Sequence, residues 1–234
     1  MIIHNWSDKI LENVSGKRKI KGIIFDFDFT LADSSRGVVE CVNYALKELG
    51  FSEVAEKEIF ITIGLTLEHT LIKLVGENNV EKTEEFKNLF IKRADEVMAD
   101  LTIVFNETPT IIKKLNEKTI KLAIVSTKFR YRIEDILRRE NLLNYFDVII
   151  GGEDVSSLKP DPTGLKLAIE KLELNSSEVF YIGDSITDAK TAYNADILFI
   201  AVLSGVTSER DFGEFQVEYF LKDISELPEI LFNK

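Results

Sequence analysis

Carboxylate side chains follow two apolar segments that are typical of buried strands. Asp26 and Asp28 come directly after the run GIIF, and Asp184 and Asp188 come just after the run VFYI. Carboxylates spaced i, i+2 at the end of a strand project to the same side. Burying such acids is costly unless a cation or hydrogen-bond donors compensate them. The spacing therefore predicts a site that binds a cation.

Other polar groups are expected at the same edge of the fold. Ser126 and Thr127 end a third apolar run, and Lys159 lies in the loop KPDP after another. Ligands of open α/β sheets bind at the carboxyl ends of the strands. Together the four acids and the one lysine give a formal charge near −3. A site with this negative charge favours a hard divalent cation, and carboxylate oxygens suit Mg²⁺ best. An anion could then bind to the metal.

The elements that must position these groups alternate along most of the chain. Short apolar runs separated by helical patterns predict an α/β fold with a doubly wound, mostly parallel, Rossmann-like sheet. Thr108-Pro109 has the residue types of a helix start, with Thr108 as the N-cap. The predicted strands are 22–25, 122–125, 148–150, 179–182 and 197–202.

Residues 34–102 differ because they carry three amphipathic helical patterns and no strand signal of comparable strength. We therefore expect a catalytic core made of 20–33 and 103–234, interrupted by a helical cap over 34–102. Residues 1–19 contain a basic cluster and are interpreted as an N-terminal arm or helix, although a frayed tail fits equally well.

The composition of the chain disfavours several classes of partner and location. The 234 residues include 40 acidic and 29 basic ones, a net charge of −11, which disfavours nucleic acids and membranes as partners. The longest apolar run, 197–203, is too short to span a bilayer, and the N-terminus lacks the features of a signal peptide. Because Cys41 has no second cysteine to pair with, a reducing, cytoplasmic location is expected.

The motifs DFDFTL, VST, KPDP and GDSITD occur in the order and strand context of the haloacid dehalogenase superfamily. The sequence resembles that superfamily over about residues 20–225, and the helical insertion resembles its α-helical cap. The segments DSSRGVVECVNYAL and IGLTLEHTL are most similar to the phosphoglycolate phosphatase and pyrophosphatase-like branch. One position departs from the pattern, because Phe29 stands where the family usually has glycine.

The resemblance implies a Mg²⁺-dependent phosphatase that hydrolyses a small phosphomonoester, such as phosphoglycolate or a sugar phosphate, or pyrophosphate. By position, Asp26 matches the nucleophile that forms an aspartyl-phosphate. Asp28 matches the general acid that protonates the leaving oxygen and then the base that activates water. Lys159 would neutralise the developing charge and orient Asp26.

The same resemblance implies the groups that hold the phosphate and the metal. The phosphoryl oxygens would be held by the Ser126 hydroxyl, the Lys159 ammonium and the backbone amides of Phe27 and Thr127. The metal would be bound by the carboxylates of Asp26 and Asp184, the backbone carbonyl of Asp28 and, indirectly or through water, Asp188.

Residues of the cap could select the substrate. The candidates are Arg36, Gly64, Thr66 and Glu68. Solvated or helix-capping roles fit these residues equally well. Thr66 could cap a helix that runs to Gly76, and His69 is interpreted as structural because no second histidine lies nearby.

Three alternatives stay open. A phosphomutase of the β-phosphoglucomutase type shares the core and differs in the group that accepts the phosphoryl. A dehalogenase needs neither a metal nor a second acid, so Asp28 and the acids of GDSITD disfavour it. A non-catalytic binding protein on the same fold is the third. The expected partner is a small phosphorylated metabolite, and the expected assembly is a monomer or a homodimer.

Overall fold

The computed structural model describes residues 19–213 and 215–232, so the predicted N-terminal arm lies almost entirely outside the described residues. Six parallel strands form one sheet, namely β1 (Gly22–Phe25), β4 (Lys121–Val125), β5 (Val148–Ile150), β6 (Val179–Gly183), β7 (Leu198–Val202) and β8 (Tyr219–Leu221). Their order across the sheet is β5-β4-β1-β6-β7-β8. The predicted parallel, Rossmann-like α/β core is confirmed; β8 was not predicted.

Nine α-helices accompany the strands within the described residues. They are α1 (Ser35–Glu48), α2 (Glu56–Phe60), α3 (Leu67–Val75), α4 (Thr83–Leu101), α5 (Thr108–Glu117), α6 (Arg130–Arg139), α7 (Thr163–Leu172), α8 (Ile186–Ala195) and α9 (Leu227–Phe232). None of the described helices is both long enough and apolar enough to cross a membrane.

Strand β1 is central, and both of its faces are buried. Ile23 and Phe25 pack in the cluster formed with α5, α6 and α9, whereas Ile24 packs in the cluster formed with α7 and α8. Successive side chains of a strand point to opposite faces. A strand covered on both sides must therefore be apolar throughout, which explains the unbroken run GIIF.

The register of the sheet brings three strand ends together. Phe25 of β1 pairs with Ile124 of β4 on one side and with Ile182 of β6 on the other. The chain segments that begin at Asp26, Ser126 and Asp184 therefore leave the sheet side by side.

Helices α1 to α4 form a separate cluster that includes Cys41, Leu46, Phe86 and Phe90. This insertion is bounded by a short antiparallel ribbon of β2 (Ala32–Asp33) and β3 (Ile103–Val104). The sequence did not predict this ribbon because two residues per strand are too few to show a periodic pattern.

The sequence predicted the N-cap residues of two helices, and one of the two predictions is confirmed. Thr66 caps α3 as expected, because its hydroxyl oxygen accepts a hydrogen bond from the backbone N–H of His69 at 3.2 Å. The prediction that Thr108 caps α5 is wrong. Glu107 occupies the cap position, and the buried Thr108 hydroxyl instead donates to the carbonyl of Leu31 at 2.9 Å.

An arginine joins the insertion to the core. Arg132 of α6 is buried, and its Nε and Nη2 lie 2.9 and 2.6 Å from Oδ1 of Asp95 on α4. Nη2 also donates to the carbonyl of Ile91 at 3.1 Å. The guanidinium lies over the ring of Phe129, 5.0 Å from its centroid. Contacts of this kind fix the orientation of α4 against the core.

Candidate active site

Asp26 is the first residue after β1, and its side chain is almost completely buried. Its backbone N–H donates to the carbonyl of Ile182 at 2.8 Å, which extends the sheet pairing by one residue. Its Oδ1 lies 2.8 Å from Nζ of Lys159. The loop KPDP therefore delivers a buried ammonium group to the end of the central strand, which is the edge of the sheet where the sequence pattern places it.

Lys159 is held by a second set of groups from β6 and α8. Its Nζ lies 2.6 Å from Oδ1 of Asp188 and 3.2 Å from the hydroxyl of Tyr181. The Tyr181 hydroxyl donates to the same Asp188 oxygen at 2.6 Å. The hydroxyl and the backbone N–H of Ser185 donate to Oδ2 at 2.5 and 3.2 Å. Asp188 thus accepts on both oxygens while it completes the capping box of α8.

Asp28 lies in a different environment. Its Oδ1 accepts a hydrogen bond from the Ser34 hydroxyl at 2.6 Å and lies 3.2 Å from Nζ of Lys128. The backbone N–H of Lys128 donates to Oγ of Ser126 at 3.3 Å. Sequence reasoning missed Lys128, although its position two residues after Ser126 places it in the same loop at a strand end.

Asp184 is buried, and a glycine from the loop after β7 lies against it. A Cβ atom added at Gly205 would lie 1.9 Å from Oδ2 of Asp184, so no larger residue fits unless one of them moves. A Cβ at Gly183 would likewise lie 2.5 Å from Cγ of Asp188. The backbone therefore approaches both carboxylates as closely as glycine allows.

The carboxylates are close enough to share one cation. Oxygens of Asp26, Asp184 and Asp188 all lie within 4.8 Å of one another, and all three residues are buried. An octahedral Mg²⁺ site binds oxygens at about 2.1 Å, so this donor set fits a hard divalent ion after small adjustments. The chemistry of the donors, which are all oxygens, fits the same ion.

Burial and neighbouring charges shift the pKa values of the ionisable groups in the site. Burial raises the pKa of Asp26 to about 7, although the charge of Lys159 opposes the shift. Burial, and then the charges of Asp188 and Asp26, raise the pKa of Asp184 well above its usual value. Burial alone would lower the pKa of Lys159, but the charges of Asp188 and Asp26 raise it, so this lysine stays an ammonium group.

Lys128 changes the predicted charge of the site. Four carboxylates with Lys159 alone were expected to give a charge near −3, but the second buried ammonium reduces the formal charge to −2. A single divalent cation balances this charge. The correction arises because burial of Lys128 beside Asp28 depends on tertiary packing.

The remaining predicted phosphate-binding groups lie in the loops after β1 and β4. Ser126 is buried, Thr127 is half-buried, and the Phe27 side chain is buried in the core. The carbonyl of Phe27 accepts from the backbone N–H groups of Leu31 and Ala32 at 2.9 and 3.2 Å, so the segment DFDFTL turns back on itself. The turn places both of its aspartates at the end of β1.

Phe29 adopts the backbone conformation that the glycine usual at its position takes easily. Its φ is +59°, in the left-handed region, and its residue surface is only 8% exposed. Its N–H donates to the carbonyl of Ala32 at 2.7 Å, and its carbonyl accepts from the Ser204 hydroxyl at 2.5 Å. Burial of the ring and these two hydrogen bonds hold the unfavourable dihedral in place.

The structure does not bring the predicted cap residues into contact with the buried carboxylates. Arg36 and Glu68 are exposed in the first turns of α1 and α3, and Gly64 has φ +87°. Thr66 caps α3, and its Oγ1 lies 2.8 Å from Nδ1 of His69. From the insertion, the side chain that does contact an active-site carboxylate is Ser34, beside α1, which sequence reasoning missed.

Comparison with known proteins places this arrangement in a family. The sequence model of haloacid dehalogenase-like hydrolases matches residues 23–202, which is more than half of the chain. Pyrophosphatase PpaX of Listeria monocytogenes is 29% identical over 210 residues, which cover 89% of this chain and 95% of the relative. A phosphoglycolate phosphatase of Nitrosospira multiformis is 26% identical over 217 residues, which cover 91% of this chain and 96% of the relative.

A solved structure supports the same assignment. A crystal structure from Bacteroides fragilis, described as a haloacid dehalogenase-like hydrolase, is 41% identical and superimposes with a TM-score of 0.86. The alignment covers 89% of this chain and all of the other one. The resemblance carried by the four motifs is confirmed. The protein belongs to the family of haloacid dehalogenase-like hydrolases.

Proposed function

We propose that the protein is a Mg²⁺-dependent phosphatase that hydrolyses a small phosphomonoester or pyrophosphate through an aspartyl-phosphate at Asp26. The observation that carries the proposal is the buried Asp26 carboxylate, 2.8 Å from the Lys159 ammonium and beside Asp184 at the end of the central strand. The names of the relatives, pyrophosphatase and phosphoglycolate phosphatase, support the phosphoryl chemistry.

In the first step, a carboxylate oxygen of Asp26 forms a bond to phosphorus while the bond from phosphorus to the leaving oxygen breaks. Asp28 gives its proton to that oxygen, so the leaving group departs protonated, as an alcohol from a phosphomonoester or as phosphate from pyrophosphate. In the second step, Asp28 takes a proton from water, the water oxygen bonds to phosphorus, and the bond to Asp26 breaks. Phosphate is released and both aspartates return to their starting states.

The other groups stabilise charge during both steps. The Ser126 hydroxyl, the Lys159 ammonium and the backbone amides of Phe27 and Thr127 would hold the phosphoryl oxygens. Asp26, Asp184 and the backbone carbonyl of Asp28 would hold Mg²⁺, which when bound supplies positive charge beside the phosphoryl group. Asp188 contributes indirectly, because it fixes Lys159 through a 2.6 Å contact.

We propose that helices α1 to α4 act as the cap over 34–102 and that the core consists of 20–33 and 103–234. The candidates for substrate selection on this cap are Arg36, Gly64, Thr66 and Glu68. A small phosphorylated metabolite is the proposed substrate, and the net charge of −11 disfavours nucleic-acid polymers. The proposed assembly is a monomer or homodimer in the cytoplasm.

Phosphate release tests this function directly. We expect the wild-type protein to release phosphate from at least one member of a panel of phosphoglycolate, pyrophosphate, sugar phosphates and nucleotides, and to need Mg²⁺ for it. Asp26→Asn should abolish the release, whereas Asp135→Asn, a change at an exposed aspartate of α6, should not. Wild-type activity of Asp26→Asn would show that Asp26 is not the nucleophile. An isomerised sugar phosphate in place of free phosphate would assign a phosphomutase instead.

A further inference from the structure

Lys128 is a buried cation outside the four motifs DFDFTL, VST, KPDP and GDSITD. Its side chain is 5% exposed, and its Nζ lies 3.2 Å from Oδ1 of Asp28. The backbone around it is fixed on both sides. Its N–H donates to Ser126 at 3.3 Å, and its carbonyl accepts from the N–H of Gly152 at 3.0 Å. The ammonium is therefore held in the site by its own loop.

Asp28 receives a second donor on the same oxygen. The Ser34 hydroxyl donates to Oδ1 at 2.6 Å, so neither this contact nor the ion pair with Lys128 engages Oδ2. These two contacts fix the orientation of the carboxylate through Oδ1. They leave Oδ2 as the oxygen that can face a substrate.

The two buried ammonium groups form ion pairs with different carboxylates. Lys159 contacts Asp26 and Asp188, whereas Lys128 contacts Asp28. An unpaired ammonium is costly to bury, so the pairing with Asp28 also explains why Lys128 can occupy this position.

We infer that Lys128 is a positioning residue for Asp28: together with Ser34 it holds Oδ1 and leaves Oδ2 to exchange the proton with the leaving oxygen and with water. This inference rests on the proposed function, because it assigns the orientation of the proposed general acid. It predicts that loss of Lys128 lowers kcat/KM more for a substrate whose leaving oxygen must be protonated than for one whose leaving oxygen departs without a proton.

Two aryl phosphates of similar size test this prediction. Phenyl phosphate releases a phenol with a pKa of about 10, like tyrosine. The leaving oxygen of p-nitrophenyl phosphate is far less basic and departs without a proton. The quantity to measure is kcat/KM, which covers the steps up to phosphoryl transfer to Asp26. Because general acid catalysis contributes about 10²- to 10⁴-fold, we expect Lys128→Met to lower kcat/KM for phenyl phosphate at least about 10-fold. For p-nitrophenyl phosphate we expect less than about a threefold loss.

Further variants separate positioning from folding. Ser34→Ala removes the other donor to Oδ1 and should shift the ratio of the two substrates in the same direction. Lys128→Arg should restore part of the loss with phenyl phosphate, because a guanidinium can also donate to Oδ1. Lys121→Met, a change at the opposite end of β4, should leave both values at wild type. Ser34→Ala remains a test if Lys128→Met does not fold.

Equal losses with both substrates in Lys128→Met and Ser34→Ala, or no loss in either, would overturn the inference. Asp26→Asn distinguishes this failure from failure of the proposed function. If Asp26→Asn is inactive while Lys128→Met matches the wild type, only the role of Lys128 is wrong. If Asp26→Asn stays active, the phosphatase mechanism itself is wrong.

Discussion

Gly205→Ala adds one methyl group to the active site without removing any polar group. The new Cβ would lie 1.9 Å from Oδ2 of Asp184, whereas real Cβ contacts shorter than 3.0 Å essentially do not occur. Asp184 or the loop must therefore move by more than about 1 Å. The backbone itself accepts alanine, because Gly205 is not among the residues with positive φ. The whole effect therefore arises from the displacement of Asp184 or of the loop that carries Gly205.

A displacement of about 1 Å at a reacting centre can lower activity about 100-fold. We expect a loss of this size in kcat/KM for p-nitrophenyl phosphate, together with a higher Mg²⁺ concentration for half-maximal activity. Overpacking costs about 1–3 kcal/mol, so the melting temperature should fall by only about 2–12 °C. A Mg²⁺ titration of phosphate release and a thermal melt measure both quantities.

Gly213→Ala is the matched control, because its Cβ would lie 3.4 Å from the carbonyl of Arg210 and at φ −52° the backbone tolerates it. It should keep wild-type activity and Mg²⁺ dependence. If Gly205→Ala also keeps both while its crystal structure shows Asp184 displaced, then the position of Asp184 does not matter to the reaction, and its assignment as a metal ligand is refuted.

Three further predictions use the same assays. Tyr181→Phe removes the hydrogen bond to Asp188 and should lower the free energy of unfolding by about 1.5–3 kcal/mol, measured by urea denaturation. Arg132→Met removes the ion pair with the half-exposed Asp95 and should cost about 1–2 kcal/mol in the same measurement. Because burial raises the pKa of Asp26 from 3.8 to about 7, the metal-free folded state binds a proton more tightly than the unfolded chain. Its stability should therefore fall as the pH rises from about 4 to about 7, and the gain in melting temperature from Mg²⁺ should grow between about pH 5 and about pH 8.

Each of these predictions has a contrary result. Unchanged stability of Tyr181→Phe would mean that its hydroxyl contributes no net energy to the network. Unchanged stability of Arg132→Met would mean that the contact between α4 and α6 does not depend on the ion pair. A Mg²⁺ gain that is equal at both pH values, or one that persists in Asp26→Asn with the same pH dependence, would contradict the raised pKa of Asp26.

The sequence predicted the parts of the site that depend on strand ends. Asp26 and Asp184 follow buried apolar runs, and parallel strands in register bring such residues together at one edge. Lys128, Tyr181 and Gly205 could not be predicted in this way. Tyr181 lies within a run that looks like ordinary core, and Gly205 meets Asp184 only because β7 follows β6 in the sheet.

Phe29 shows a second limit of the sequence pattern. It stands where the family usually has glycine, and in the structure it adopts the left-handed conformation with φ +59°. This conformation costs a non-glycine residue roughly 1–2 kcal/mol. A buried ring and the hydrogen bond from Ser204 offset that cost. One of these compensating contacts comes from Ser204, which is 175 positions away in the sequence. A local sequence pattern cannot predict such a contact.

The residues proposed to select the substrate are the ones that the sequence determines least. Arg36 and Glu68 lie on the first turns of α1 and α3 and are exposed, so their side chains are not fixed by packing. The ribbon of β2 and β3 sets where these helices stand relative to the core, and its two-residue strands leave no periodic signal.

The central claim is that Asp26 carries the phosphoryl group, and acid quenching tests it most directly. Asp28→Asn should be mixed with p-nitrophenyl phosphate and Mg²⁺, because this substrate needs no proton on its leaving oxygen while water is no longer activated for the second step. After an acid quench within the first turnover, peptide mapping by mass spectrometry should find one phosphoryl group on Asp26. Nitrophenolate released with no phosphoryl group on any residue, or with the group on a different residue, would contradict the account.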